Sequence, residues 1–252
     1  MNIALQFKAL YYPLRRLLGP VVVTDDFGIK VKWYPHDKIP IKKLITRENY
    51  KYEFSQYDKY AKGVVVDVGA NIGIHAVYLS RLATKVHAFE PVGSTFSYLL
   101  ETVALNGAQE KIETHRLGLG ESAGELEMQI FSLEHSSWNS AYVPKNQQIS
   151  PVGVERVPVT TLDDFAEDKQ LQKIDFVKID VEGHELQVLR GAKKLLGEKR
   201  ISTLSFEVTQ MHAHDPQEIF HLLRDCGYEV EDYDPARPHH NYYARLPSLS
   251  AA

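Results

Sequence analysis

Four carboxylates draw attention because each closes a run of residues suited to a buried strand: Asp67 in VVVD, Glu90 in KVHAFE, Asp180 in FVKID and Glu207 in STLSFE. In an open α/β sheet, ligands sit outside the carboxyl ends of the strands, beside the point where strand order reverses. A single acid at such a place is ordinarily a helix cap or a first-turn residue. Four of them describe an acidic rim. A rim of that kind repels phosphate, attracts cations, and offers groups able to take a proton from a hydroxyl or to bind a hard metal ion.

The first acid leads into a glycine-punctuated turn, VVVDVGANIG, from Val64 to Gly73. A dinucleotide loop, G-x-G-x-x-G, is the obvious comparison, and it fails letter by letter. With Gly69 first, the second and third glycines fall on Asn71 and Ile74, and Gly73 is out of register. Asp67, aimed into the turn, would also repel the pyrophosphate that such loops hold at a helix N-terminus. S-adenosylmethionine has no phosphate and carries a sulfonium and an amino group, so it suits an acidic turn better. Glu90 lies 17 positions after Gly73, close to the spacing at which an acid meets a ribose in adenosine-binding units. That acid serves NAD as well as S-adenosylmethionine, so the choice between them rests on the turn.

The elements that must hold these residues are legible from periodicity. From Val64 onward, strand and helix patterns alternate: VVVDVG, IHAVYLSRLA, KVHAFEP, then a helix from Ser94 to Leu105. Such alternation argues for a parallel sheet covered on both faces. Further strands are expected at IETHRLGL, ELEMQIF, VERVPVT, IDFVKIDV, STLSFEVT and YEVEDYD, with helices at HELQVLRGAKKLL and PQEIFHLLRDCG. Ahead of this body, VVVTDDFGIKVKWYP alternates around Asp26-Phe27-Gly28 as a hairpin, and the charged, aromatic stretch ending KYAKG leads into and covers the site. The division expected is a helix and hairpin extension over 1–60, a catalytic domain over 61–247 and a frayed tail over 248–252.

Composition narrows the partners. The chain has 252 residues, is 44% hydrophobic and 25% charged, and carries a net charge of -4 with no clustered Lys/Arg run to offset it. That argues against a nucleic-acid substrate. One cysteine, Cys226, excludes an intrachain disulfide and agrees with a reducing, cytoplasmic compartment. The opening MNIALQFKALYYPLRRLLGP is interrupted by Pro13 and too short in apolar run to span a membrane. It reads as an amphipathic helix that packs on the body or a partner, or makes weak peripheral contact with a membrane surface through residues 1–18. The oligomeric state stays open. Between Phe131 and Val154 runs a polar loop containing Trp138 and Tyr142, whose rings suit the apolar face of a sugar or simply anchor the loop.

DVGANIG, AFEP, VPVTTLDDF and FVKIDVEGHELQVLRGA together resemble the FkbM-type methyltransferases, S-adenosylmethionine-dependent enzymes that methylate hydroxyls on polyketides, sugars and glycans. The resemblance runs from about Gly63 to Val208 and centres on Asp180-Val181-Glu182-Gly183. It implies a class I, Rossmann-like doubly wound sheet of seven strands, mostly parallel. Carried onto this chain, it places the methionyl part of the cofactor along Asp67, Gly69, Asn71 and Gly73, the ribose at Glu90 beside Pro91, and the adenine near Arg116, Leu117 and Gly118. Leu117 has an equal claim as plain core. N-methylation and a non-catalytic module that keeps the cofactor fold are the competing functions.

Methyl transfer from a sulfonium has an activated leaving group, so the protein supplies alignment and a way to remove the acceptor's proton. Asp180, Glu182, His184 and Glu207 are the candidates. Asp180 comes first, on the expectation that a carboxylate beside other acids has a raised proton affinity. Alternatively Asp180 and Glu207 bind one Mg²⁺ that lowers the pKa of the bound hydroxyl, the less favoured arrangement. His212, in MHAHD, is a candidate for the acceptor pocket, since an H-x-H pair without a companion cysteine motif is weak evidence for zinc.

Overall fold

The hairpin forms where the alternation places it, and Asp25 explains why it turns there. Strand β1 (Val21–Thr24) pairs antiparallel with β2 (Lys30–Trp33), and Asp25 Oδ1 accepts from the backbone N–H of Phe27 at 2.9 Å and Ile29 at 2.8 Å. A carboxylate bonding its own backbone in this way closes a turn without a tertiary partner. The computed structural model describes residues 19–34, 50–131, 139–141, 150–208, 215–234 and 240–247. Helix α1 (Tyr50–Tyr60) follows and buries Glu53, Phe54 and Tyr57 against the body.

The valine- and isoleucine-rich runs then build the main sheet. In chain order they are β3 (Val64–Val68), β4 (Lys85–Phe89) and β5 (Ile112–His115), with α2 (Ile74–Leu82) and α3 (Gly93–Leu105) between them. The chain returns to the other side of β3 with β9 (Ile174–Ile179) and β10 (Ile201–Val208), and finishes with β11 (Glu229–Val230) and β12 (His240–Arg245). The seven strands stand in the order β11-β12-β10-β9-β3-β4-β5. All pairs are parallel except the two made by β12. The order reverses between β3 and β9, so that junction is where a ligand crevice opens.

Both faces are covered, as strands apolar on each side require. Val65, Val86 and Phe176 point to a core shared with the hairpin, α1, α2 and α3. Val66, Val68 and Val177 point to a second core shared with α4 (Leu162–Asp168), α5 (Glu185–Arg190), α6 (Lys193–Gly197) and α7 (Gln217–Asp225). Cys226 is half-buried against this second core.

Three expectations are corrected. IETHRLGL is two strands, because after β5 the chain leaves the main sheet as β6 (Gly118–Leu119). With β7 (Gly124–Ile130) and β8 (Gly153–Thr160), β6 forms a separate three-stranded sheet, order β6-β8-β7, around Val92, Met128, Val157 and Val159. HELQVLRGAKKLL is two short helices broken at Gly191-Ala192, and the seventh main-sheet strand is HNYYAR, which the periodicity does not single out. Among the described residues, no helix is long and apolar enough to cross a membrane.

Candidate functional site

Strand β3 continues to Val68, so Asp67 lies one residue inside it and has no exposed surface. Its register partner across the reversal point is Lys178. Lys178 Nζ stands 3.4 Å from Asp67 Oδ1 and 3.2 Å from Asp180 Oδ2. Burial works against a charged lysine, but Asp180, Asp67 and Glu53 together hold Lys178 above its usual value. Burial likewise raises Asp67, with Lys178 opposing. Asp67 is therefore a counter-ion inside the sheet, where the sequence reading aims it into the turn. Lys178 is the residue that reading misses.

The turn after β3 is pressed against the neighbouring strand end. Gly69 has φ +79°, and a Cβ there would lie 1.9 Å from the backbone oxygen of Asp180, so no side chain fits. Asn71 sits at φ +49°, and its Oδ1 is buried without a hydrogen bond. Gly73 stands at the N-cap of α2. The N–H groups of Asn71 and Val92 both donate to Glu90, at 3.0 Å to Oε2 and 3.0 Å to Oε1. Burial pushes Glu90 up to about 7 while those two N–H groups pull the other way. Beside Gly69 opens a narrow apolar cleft lined by Phe89, Pro91, Leu117, Gly118, Met128 and His184 among others. Leu117 both lines this cleft and packs on the core. Arg116 is engaged elsewhere: it binds Glu155 at 2.8 Å, and Glu155 accepts from Gly93 N–H at the start of α3.

Asp180, Glu182 and Glu207 converge at the ends of β9 and β10, each offering a carboxylate oxygen, all within 4.8 Å of one another. The turn that brings Glu182 there is strained, with Glu182 itself at φ +51°. Fully buried Glu185 holds that turn by accepting from Val181 N–H at 3.2 Å and Gly183 N–H at 3.1 Å. Ser140, from the polar loop, closes it further by donating to the Glu182 carbonyl at 2.7 Å. His184 faces the apolar cleft and is not one of the three converging acids.

Proton affinities divide among the acids in an order opposite to expectation. Burial would raise Asp180, but Lys178, His75 and a hydrogen bond to Glu207 hold it below the usual carboxylate value. Glu207 is pushed up by burial and then by the charges of Asp180 and Glu182. Glu182 rises by burial and by Asp180 and Glu185. Asp180 is the ionised member, and its neighbours carry the raised affinity.

A fourth acid comes from α1. Glu53 accepts from Tyr57 Oη and stands 3.5 Å from His75 Nδ1, and burial raises it to about 7 against the pull of Lys178. The spacing of Glu53 and Tyr57, four apart on a helix, was a usable signal in a segment already expected to cover the site. Trp138, Tyr142 and His212, and residues 1–18, lie outside the described residues.

Comparison with known proteins identifies the family through its domain model. The model of the methyltransferase FkbM domain matches residues 67–230. The chain is 31% identical over 169 residues to the hexuronic acid methyltransferase AglP of Haloferax volcanii, a match covering 67% of this chain and 64% of that protein, just under two thirds of its length. It is 29% identical over 194 residues to the methyltransferase sdnD of Sordaria araneosa, covering 66% of this chain and 73% of that one. The crystal structure of a methyltransferase FkbM from Methylobacillus flagellatus superposes with a TM-score of 0.51 at 20% identity, over 73% of this chain and 44% of that one.

Proposed function

The chain belongs to the FkbM methyltransferase family, and from that premise we propose that it is an S-adenosylmethionine-dependent O-methyltransferase acting on a hydroxyl of a sugar or glycan. The observation that carries this reading is the contact between two half-sites. The Gly69 turn, tied to Glu90 through Asn71, abuts the Asp180 backbone that leads into the acid trio. A cofactor and an acceptor held on either side of that contact would be adjacent.

The residues present suit the cofactor. Glu90 keeps lone pairs beyond its two backbone bonds for ribose hydroxyls, and the buried Asn71 Oδ1 wants a donor that an amino group supplies. Pro91, Leu117 and Gly118 offer an apolar slot suited to adenine. When bound, S-adenosylmethionine supplies a methyl group on a sulfonium, already activated for displacement. What remains for the chain is to orient the acceptor hydroxyl and take its proton. Asp180, kept ionised by Lys178, is the group placed to accept it.

The convergence of three carboxylates favours a second reading, in which Asp180, Glu182 and Glu207 hold one Mg²⁺ that acidifies the hydroxyl. A cation there would also let all three acids ionise, and would offset the repulsion that a bare acidic rim exerts on a hexuronate, the acceptor class in AglP's name.

The test is incubation with methyl-labelled S-adenosylmethionine and a panel of neutral hexosides, hexuronates and amino sugars, read by mass spectrometry of the products. Label on a sugar oxygen is expected. Label on nitrogen only, or on none of a broad acceptor panel despite measurable cofactor binding, would overturn the reading. Asp180→Asn separates the two mechanisms. With a base, turnover falls about 10²–10⁴-fold and chelators do nothing. With a metal, EDTA abolishes wild-type turnover, Mg²⁺ restores it, and Glu207→Gln is as damaging.

A further inference from the structure

The β4–β5 edge of the sheet carries a second group of ligand-type side chains that methyl transfer does not use. His87 and Glu113 are register partners, and His115 lies two residues on, so all three project from one face of the sheet. His87 Nδ1 stands 3.3 Å from His115 Nε2, while Glu113 Oε2 is 3.7 Å from the former and Glu113 Oε1 is 3.9 Å from the latter. The two imidazoles are seated by aromatic packing: Phe89 stacks on His115 at 4.7 Å between centroids, and Phe165 meets both rings edge-on, at 5.3 and 4.9 Å. Their orientations are therefore fixed by the core.

We propose that His87 Nδ1, His115 Nε2 and the Glu113 carboxylate form a binding site for one Zn²⁺ or a similar borderline divalent ion.

A His–His hydrogen bond accounts for one proton between two nitrogens and leaves the carboxylate facing both rings without a bond to either. A metal uses all three groups. Two imidazole nitrogens on a tetrahedral zinc, each about 2.0–2.1 Å from the ion, stand roughly 3.3–3.4 Å apart, which is the spacing observed. Each neutral imidazole offers one lone pair, and the two ring nitrogens that face each other are the ones placed to give it. Nitrogen-rich ligands select zinc-like ions over the hard cation that the all-oxygen trio Asp180, Glu182 and Glu207 would take. Two lysines compete for Glu113: Lys169 Nζ binds Oε1 at 2.5 Å, and Lys85 Nζ stands 4.0 Å from Oε2. Both are more than a third exposed and free to swing into solvent. Glu113 itself is 36% exposed, so the site opens outward. The ion would also clamp β5 to β4 where His115 C=O accepts from Glu90 N–H at 3.1 Å, next to the acid offered to the ribose.

The experiment titrates Zn²⁺ alone, with Mg²⁺ as control, into metal-free protein by calorimetry, and uses Co²⁺ as an absorbing substitute. One Zn²⁺ per chain is expected, with a tetrahedral Co²⁺ spectrum. Glu113→Gln and His115→Gln, each checked for folding by circular dichroism, should weaken Zn²⁺ binding by about 100-fold or more, and Lys169→Met should tighten it. Binding should survive Asp180→Asn, which separates this site from the acid trio. The proposal is overturned if Zn²⁺ does not bind, if folded Glu113→Gln binds as wild type does, or if the ion is lost from a variant lacking His212 and His214 instead.

Discussion

Lys178 sets the charge of the whole acid group, because a lysine with 3% of its side chain exposed bridges Asp67 and Asp180 across the strand-reversal point. Removing one partner of a buried pair leaves the other charges uncompensated. Lys178→Met should cost about 3–5 kcal/mol in urea unfolding. The double change with Asp67→Leu should recover part of that loss, and a single-variant cost within experimental error would show that the pair is not what the sheet depends on. The sequence held a clue: FVKID places one lysine in a run otherwise apolar enough for a central parallel strand, where an unpaired charge is intolerable. The acids at the strand ends were legible from the sequence, but the partner was not, because pairing Asp67 with Lys178 requires knowing that β3 neighbours β9. The acids also fix the sign of a pH dependence. Glu53, Glu90 and Glu185 rise to about 7, and Glu182 and Glu207 also rise, all chiefly through burial, so the folded state binds protons that the unfolded chain releases near 4.3. Their contribution is fully present below that unfolded value and is lost as pH rises through about 7 and beyond. Melting of the ligand-free protein should therefore fall from pH 5 to 9, and Glu207→Gln should flatten the decline. A wild-type profile that climbs between pH 5 and 9 would show that these acids do not bind protons more tightly in the folded chain, since Asp180, held below the usual carboxylate value, changes stability only at more acid pH.

At the scale of elements, the break between α5 and α6 shows what periodicity cannot contain. HELQVLRGAKKLL keeps a helical pattern throughout, yet a Cβ on Gly191 would lie 1.9 Å from the backbone oxygen of Gly120, just past β6. The helix yields because another backbone passes there. A glycine inside a helical run is the one local sign of such an approach. Gly191→Ala should cost about 1–3 kcal/mol by forcing the two backbones apart. An unfolding midpoint unchanged from wild type would mean that β6 can move freely. The cap of α4 is the gentler case: Thr161 Oγ1 accepts from Asp164 N–H at 2.9 Å, so Thr161→Ala should cost about 1 kcal/mol in the same assay. VPVTTLDDF carries a cap signal, a threonine before two acids, that the strand-and-helix periodicity passes over, whereas HNYYAR carries no comparable signal. Its place between β10 and β11 comes from antiparallel pairing with residues far back in the chain, Thr203 to Val208.

For the molecule as a whole, the sheet divides the chain into two cores with the crevice at their common edge, so a ligand in that crevice touches residues supported from both sides. Asp67 and Glu53 rest on the hairpin-and-α1 face, while Val68, Phe89 and Val181 belong to the other. Ligand binding should consequently stabilise the fold as one unit. At a concentration 100 times its Kd, S-adenosylhomocysteine should add about 2.7 kcal/mol to the unfolding free energy and raise the melting midpoint in a single transition. NAD at the same concentration should leave the midpoint where it was. The turn that fails the dinucleotide pattern abuts the backbone of Asp180, which leads into the acid trio, and a pyrophosphate brought there would lack free N–H donors, since Asn71 and Val92 already donate to Glu90. Glu90→Ala supplies the matching control: it should weaken S-adenosylhomocysteine binding by about 1.5–3 kcal/mol, the scale of hydrogen bonds to a charged group. Equal stabilisation by NAD and S-adenosylhomocysteine, or a folded Glu90→Ala variant that binds as tightly as wild type, would move the adenosine out of this crevice altogether.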